Sequence, residues 1–350
     1  MKRENMVLTL VSILVLFILL SFANNRLDPY QIRILNLSAI YVVLALSMNL
    51  INGFTGLFSL GHAGFMAVGA YTTALLTMTQ DIKIQNFFLA PIIKPLQTIS
   101  MPFLPALIIA GFFSAFVGYL IAAPALRLRG DYLAIATLGF AEIIRVIFTN
   151  TQTLTNGALG LKGIPVTTSI WWAFGVALAT VIIIASLINS SYGRAFKAIR
   201  EDEIAAESMG INLFKNKTLA FTIGAFFAGV GGGLLGNLLG TIDPLMFRFF
   251  LTFNVLLIIV LGGMGSITGT IIGAFVVTIA GEGLRFLDES IDLGFVVIQG
   301  KAGLRMVVFS ALLMLVVIFF RNGIMGTKEF SWDKILNRFK KKPLLKGGEK

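Results

Sequence analysis

Glu142 and Arg145 are the charges most able to do chemistry in this chain. They lie three positions apart in ATLGFAEIIRVIFTN (136–150), a run that is otherwise free of charge. On a helix that spacing puts both on one face, within reach of each other. An ionisable group inside an apolar run marks either an ion path or half of a self-neutralising pair. A structural ion pair is the favoured reading, because a lone buried charge costs far more than a matched one. His62, the single histidine, is the second candidate, with Asn52, Thr55 and Ser59 just before it. A buried, hydrogen-bonded histidine is the expectation, and the same four side chains are candidates to line a polar substrate path.

Other chemistry is excluded. One histidine and no cysteine leave no histidine metal cluster, catalytic triad, thiolate site or disulfide. There is no G-x-x-x-x-G-K-[ST] segment to cradle a nucleotide, and no two carboxylates share one apolar run. The expectation is a chain that is not an enzyme, with no metal and no cofactor of its own. The formal charge of +11 does not point to nucleic acid, because of where the basic residues fall.

The elements that hold these residues are written in the composition. Of 350 residues, 57% are hydrophobic and only 13% charged, where a soluble domain carries about 25%. Apolar runs of roughly the 20 residues needed to cross a bilayer as a helix recur along the chain. The fold class is therefore an all-α integral membrane protein, a polytopic bundle of about ten transmembrane helices. The spans are expected near 6–23, 34–51, 55–78, 104–123, 133–149, 170–188, 219–239, 249–263, 267–281 and 304–320. The first run resembles a signal peptide, but its length favours a retained helix. Residues 249–281 are either one long tilted helix or two short ones turning at Gly262, Gly263 and Gly265. Glycines spaced three or four apart in GLFSLGHAGFMAVGAY (56–71), GVGGGLLGNLLG (229–240) and GGMGSITGTIIGAF (262–275) allow close helix packing. The same spacing suits the short or broken spans of transporter binding sites.

Charge gives the sides. Cytoplasmic loops are enriched in Lys and Arg, and here Arg194, Lys197, Arg200, Lys215 and Lys217 share one segment. The tail carries Arg321, Lys328, Lys334, Arg338, Lys340 to Lys342, Lys346 and Lys350. If both are cytoplasmic, an even number of spans separates them, so 249–281 is two helices. The N-terminus and the loop with Arg127 and Arg129 then lie inside, and the loop with Glu282, Asp288, Glu289 and Asp292 lies outside. The chain thus divides into an N-terminal helix and connection (1–33), a transmembrane domain (34–320) and a basic cytoplasmic tail (321–350) that also suits membrane lipid.

Within the transmembrane domain, 189–217 is a hydrophilic island. Asp202 is placed to cap a short helix from Glu203 to Met209, and Gly210 to end it. Ile204, Ala205, Ala206, Ser208 and Met209 form an apolar or small arc. Such a helix seats in a groove on a partner or lies on lipid headgroups.

GRAFKAIREDEIAAESMGINLFKNKTLAFTIGAFFAGVGGGLLG (193–236) resembles the cytoplasmic loop and following span of ABC-transporter permeases of the branched-chain amino acid class, LivM type. NLINGFTGLFSLGHAGFMAVGAYTTALL (49–76), LRLRGDYLAIATLGFAEIIRVIFTN (126–150), LTNGALGLKGIP (154–165) and VLLIIVLGGMGSITGTIIGAF (255–275) are similar to the rest of that signature. The resemblance covers roughly 34–320. It implies an importer subunit in a prokaryotic inner membrane, working with a second permease of LivH type, two cytoplasmic ABC ATPases that bind the ATP, and an extracytoplasmic substrate-binding protein. It assigns ATPase coupling to Gly193, Arg194, Asp202, Glu203, Ala205, Ala206 and Gly210. Ala205, Ala206 and Gly210 match the Ala-Ala-x-x-x-Gly part of the importer loop motif. Ile204 stands where many importers have Glu, and the downstream Ile-x-Leu-Pro is missing. A same-family permease for urea or short amides, and an autonomous ion-coupled transporter, are the alternatives.

Overall fold

The computed structural model describes residues 3–128, 130–284, 291–292, 297–298, 303–319, 323–326 and 328–330. Arg129, Asp288, Glu289, Arg321 and the tail beyond Phe330, all used above to assign sides, lie outside the described residues. In chain order the helices are α1 Arg3–Arg26, α2 Pro29–Asn49, α3 His62–Thr77, α4 Gln80–Asn86, α5 Lys94–Thr98, α6 Phe103–Ala125, α7 Asp131–Asn150 and α8 Gln152–Thr155. They continue with α9 Ile170–Asn189, α10 Ser191–Glu201, α11 Glu203–Ser208, α12 Leu213–Leu239, α13 Phe249–Gly262, α14 Ile267–Gly283 and α15 Leu304–Phe319. The protein is mostly helical. Besides short π and 3-10 turns, the described residues depart from α-helix into regular structure only as two-residue ladders, such as β1 Leu161–Lys162 against β2 Thr241–Ile242. Each of the ten expected spans contains a helix. Five helical segments are long and apolar enough to cross a membrane by themselves: Pro29–Phe54, Phe103–Ala125, Asp131–Asn150, Ile170–Asn189 and Leu213–Leu239.

The core is built around α12, which packs against α2, α3 and α6. Lipid offers helices little hydrophobic drive to associate, so contact depends on close backbone approach. Gly229 faces Gly69 of α3 and Ser114 of α6, and the Met66 carbonyl fills the space a Cβ at Gly232 would need. Ser114 sits at this crossing with its hydroxyl 2.8 Å from the Ala225 carbonyl and 3.1 Å from that of Phe65. Gly224 and Gly231 leave room on another side of α12 for Ile51 and Leu44 of the α2 segment.

Two glycine-rich stretches break the helical pattern. Residues 249–281 are two helices, as charge parity requires, and the chain turns between them through Gly263 (φ 120°) and Gly265 (φ 82°). The expected span at 55–78 is different. α2 runs on into a π-helical turn, Leu50–Phe54, and regular helix resumes only at His62. Local polar bonds replace the helical ladder here: Thr55 Oγ1 donates to the Leu50 carbonyl (2.9 Å), and the Asn52 side chain bonds both backbone groups of Ser59. Gly56 (φ 73°) adds a backbone conformation that L side chains avoid.

One end of the bundle gathers the hydrophilic island, the α13–α14 turn and residues 323–326 and 328–330. Asn49 ties α2 to that turn: its Nδ2 donates to the Ser266 carbonyl (3.1 Å) and Thr270 Oγ1 (2.7 Å), and its Oδ1 accepts from Gly265 N (2.9 Å). Glu329 closes the same end, its carboxylate accepting from the first backbone amides of α14 at Ile267 (2.6 Å) and Thr268 (3.0 Å). The far end holds α4, α5, the ladder and the cap of Lys83, which is buried. Its Nζ donates to the carbonyls of Leu96 (2.8 Å) and Ile99 (2.5 Å), and burial pushes its pKa below the ordinary lysine value. Asn49→Ala strips a buried turn of three hydrogen bonds, and we expect it to lower unfolding free energy by about 2–3 kcal/mol. Thermal unfolding of purified protein in mild detergent checks this.

Candidate functional site

The island folds as two short helices set at an angle. Ser190 caps α10 by accepting from Gly193 N (3.5 Å), and Gly193 is buried against the Ile188 backbone, where a side chain would not fit. Arg194 is exposed, whereas Phe196 and Ile199 turn inward. Asp202 ends α10 and caps α11, accepting from Ile204 N (2.8 Å) and Ala205 N (3.0 Å). Gly210, at φ 82°, stops α11 at Ser208, one residue before the expected end. The arc is split. Ile204 (73% exposed) and Met209 (83%) point away from the protein with Ala205, while Ala206 is buried. Glu203 braces α11 on the foot of α12 through Lys217 Nζ at 2.6 Å.

Arg200, in the last turn of α10, links the island to the bundle. Its Nη1 donates to the Gly53 carbonyl in the π-turn (3.2 Å), and its Nε holds Glu201 Oε1 (3.1 Å). Glycine makes the seat. A Cβ at Gly56 would come 2.9 Å from Arg200 Cγ, and one at Gly265 would come 2.7 Å from Nη1. Arg200 therefore touches both the place where α2 ends and the turn where α13 meets α14.

From Thr55 the chain runs non-helically into the bundle. Ala63 N donates to Thr252 Oγ1 (2.9 Å). Thr252 lies ten residues before the end of α13 at Gly262, so α3 begins about 15 Å inside the bundle end. Leu60 N donates to Thr137 Oγ1 of α7 (3.0 Å). Irregular backbone at such depth is tolerated where protein or a polar cavity satisfies it. Asn52, Thr55, Ser59 and His62 are all buried here. The first three bond within the segment, and His62 Nε2 meets Ser47 Oγ at 2.8 Å. The structure brings the four together, as building parts of a broken span.

Glu142 and Arg145 form the expected pair on α7. Arg145 Nε lies 2.9 and 3.0 Å from the two carboxylate oxygens, and Nη2 also contacts Oε1. They are not in the core: the Glu142 side chain is 53% exposed and that of Arg145 19%.

Comparison with known proteins gives the setting for these parts. Residues 30–318 match the family model described as "Branched-chain amino acid transport system / permease component". The chain belongs to that family. The permease is 36% identical to the high-affinity branched-chain amino acid transport system permease protein LivM of Escherichia coli (strain K12), covering 81% of this chain and 69% of the relative. It is 24% identical to the probable LivM permease of Methanocaldococcus jannaschii, covering 83% and 91%. It is 25% identical to the LivH permease of Escherichia coli (strain K12), covering 84% and 93%. No solved structure matches it.

Sequence reasoning did not single out Arg200, Thr137, Thr252 or Asn49 in the permease. Arg200 looks like one more basic residue on a charged loop. Thr137, Thr252 and Asn49 are isolated polar residues in apolar runs, a signal for internal bonding that has no address until the break at 55–61 is seen. Thr137→Val and Thr252→Val keep shape while leaving a buried amide without an acceptor. Each should raise amide exchange across residues 55–63 about tenfold or more. Hydrogen exchange read by mass spectrometry checks this, and unchanged exchange would contradict the assignment.

Proposed function

We propose that this chain is one membrane-spanning subunit of an ATP-driven importer for branched-chain, hydrophobic amino acids. It lies in a prokaryotic plasma membrane, with ten helices crossing and both termini in the cytoplasm. Its partners are a second permease of LivH type, two cytoplasmic ATPases that bind and hydrolyse the ATP, and an extracytoplasmic binding protein that delivers the solute. The family assignment supports the transport role, and relatives of both LivM and LivH name support a pair of permeases. The single observation that carries the mechanism is the lever. α10 and α11 stand at the basic end with Ile204, Ala205 and Met209 uncovered, while Arg200 and Lys217 brace them against the bundle.

Basic residues favour the cytoplasmic side, so this end is where ATPases can reach. A groove on an ATPase receives the exposed edge of α11. When the ATPases close on ATP, α11 is pushed, and α10 carries the displacement through Arg200 to the π-turn, the broken segment and the α13–α14 turn. Rigid-body motion of the helices joined there opens the path to alternate sides. The permease itself needs no catalytic group, nucleotide site or metal.

Ala205→Trp fills the exposed edge and spares the buried contact of Ala206. In the reconstituted importer it should abolish ATPase association or cut ATP-linked leucine uptake at least about tenfold, with membrane insertion intact. Full uptake would overturn the docking role. The chain alone in liposomes should take up no leucine under an ion gradient; uptake there would favour an autonomous carrier. Arg200→Ala should separate the two activities: ATP hydrolysis persists while leucine uptake falls about tenfold, and Arg200→Lys restores part of it. Hydrolysis and uptake falling in proportion, or neither falling, would remove Arg200 from the route.

A further inference from the structure

Glu142 and Arg145 sit where a membrane protein should not show charge. Glu142 is 11 residues from the start of α7 at Asp131 and 8 from its end at Asn150, about 16 and 12 Å along the axis. α7 has the hydropathy of a membrane span, so the pair is near the middle of the hydrocarbon. Pairing cancels the net charge but does not recover the hydration that lipid would strip from both ions. Charged groups at this depth face protein or water-filled space.

The surface around the pair is apolar in part, with Ile135, Ile143, Val146 and Ile147 exposed near it, but unlike the outer side of α6 it carries charge. α6 offers the comparison, with Leu104, Ile108, Phe112, Phe116 and Leu120 exposed along its outer side. On α7 the residues spaced three or four apart with Glu142 include Gly139, whose missing side chain leaves open space, and Val146. Arg248, exposed just before α13, is near enough to act on Glu142 electrostatically, which leaves the patch with surplus positive charge. The bonding is also incomplete. Arg145 uses Nε and Nη2 on Glu142, and Nη1 has no partner among the described residues. A guanidinium with a free nitrogen beside a half-exposed carboxylate matches the head of an amino acid zwitterion: its carboxylate to Arg145, its ammonium to Glu142.

We propose that the outer face of α7 around Glu142 and Arg145 is a wall of the hydrated translocation path, and that the pair contacts the zwitterionic head of the passing amino acid. The second permease subunit closes the other side of that path. This rests on the importer reading above, and it moves the substrate path from the buried cluster at Asn52–His62 to the uncovered side of α7.

The chain has no cysteine, so single cysteines report directly on access to water. In the assembled importer, Gly139→Cys and Val146→Cys are treated with a charged, membrane-impermeant methanethiosulfonate, beside Phe112→Cys and Phe116→Cys on α6. A thiol in an apolar surround is held protonated and reacts slowly. We therefore expect positions 139 and 146 to react at least about tenfold faster than 112 and 116, with saturating leucine slowing them. Rates at 139 and 146 equal to those at 112 and 116, or rates leucine leaves unchanged, would overturn the proposal. Adding Glu142→Gln and Arg145→Gln to Gly139→Cys separates head-group contact from simple charge pairing, since leucine protection is lost only in the first case. If that triple variant fails to insert, Arg145→Lys, which keeps the charge without the free second nitrogen, should weaken protection; full protection would count against the contact. The rates need no ATP turnover. A docking failure at Ala205→Trp and a path failure here are therefore separate results.

Discussion

A backbone amide buried in a membrane protein has no water to fall back on, and that constraint organises the end of this bundle that carries the hydrophilic island. Residues 55–61 leave the helical ladder inside the protein, so their N–H groups must find acceptors on other elements. Leu60 finds Thr137 on α7 and Ser59 finds the side chain of Asn52, while Ala63, in the first turn of α3 just past the break, finds Thr252 on α13. The open carbonyl of Gly53 accepts from Arg200. Because each bond comes from a different element, the break is a junction, and it is cheap to keep only while α7, α10 and α13 hold their places around it. Elements joined by directional bonds can exchange one arrangement for another more readily than a continuous helix can bend. That gives a physical reason for a transporter to carry a broken span at this point.

The close packing behind the junction serves the same purpose. α12 crosses α3 and α6 through Gly229, Gly232 and Gly233, leaving no space for side chains. Such contact makes α3, α6 and α12 a stiff block, against which the end near Arg200 can move. At that end α2 is stapled to the α13–α14 turn by Asn49, and Glu329 holds the start of α14. In the proposed mechanism α10 and α11 would thus push on a connected set of helix ends instead of one loop.

Much of this architecture is legible in the amino-acid sequence because hydropathy and charge are one-dimensional signals. A helix within each expected span, the two helices over 249–281, the Asp202 cap, the Gly210 stop and the Glu142–Arg145 pair all follow from residue type and spacing. What is not legible depends on three-dimensional neighbours. The run 55–78 is apolar enough to read as a helix, and the distant acceptors Thr137 and Thr252, about 80 and 190 positions away, help to satisfy its non-helical start. Ala205 and Ala206 are alike in sequence, yet the turn at Asp202 puts one outside and one inside. The exposure of Glu142 is invisible in a pattern that says only that it has a partner nearby.

The central claim is that displacement of the cytoplasmic lever reaches the broken span. Hydrogen exchange across residues 50–62, measured in the assembled importer without nucleotide and with ATP trapped, tests it most directly. Protection should change in that segment together with 199–210. A change confined to 199–210, with 50–62 exchanging identically in both states, would contradict the account.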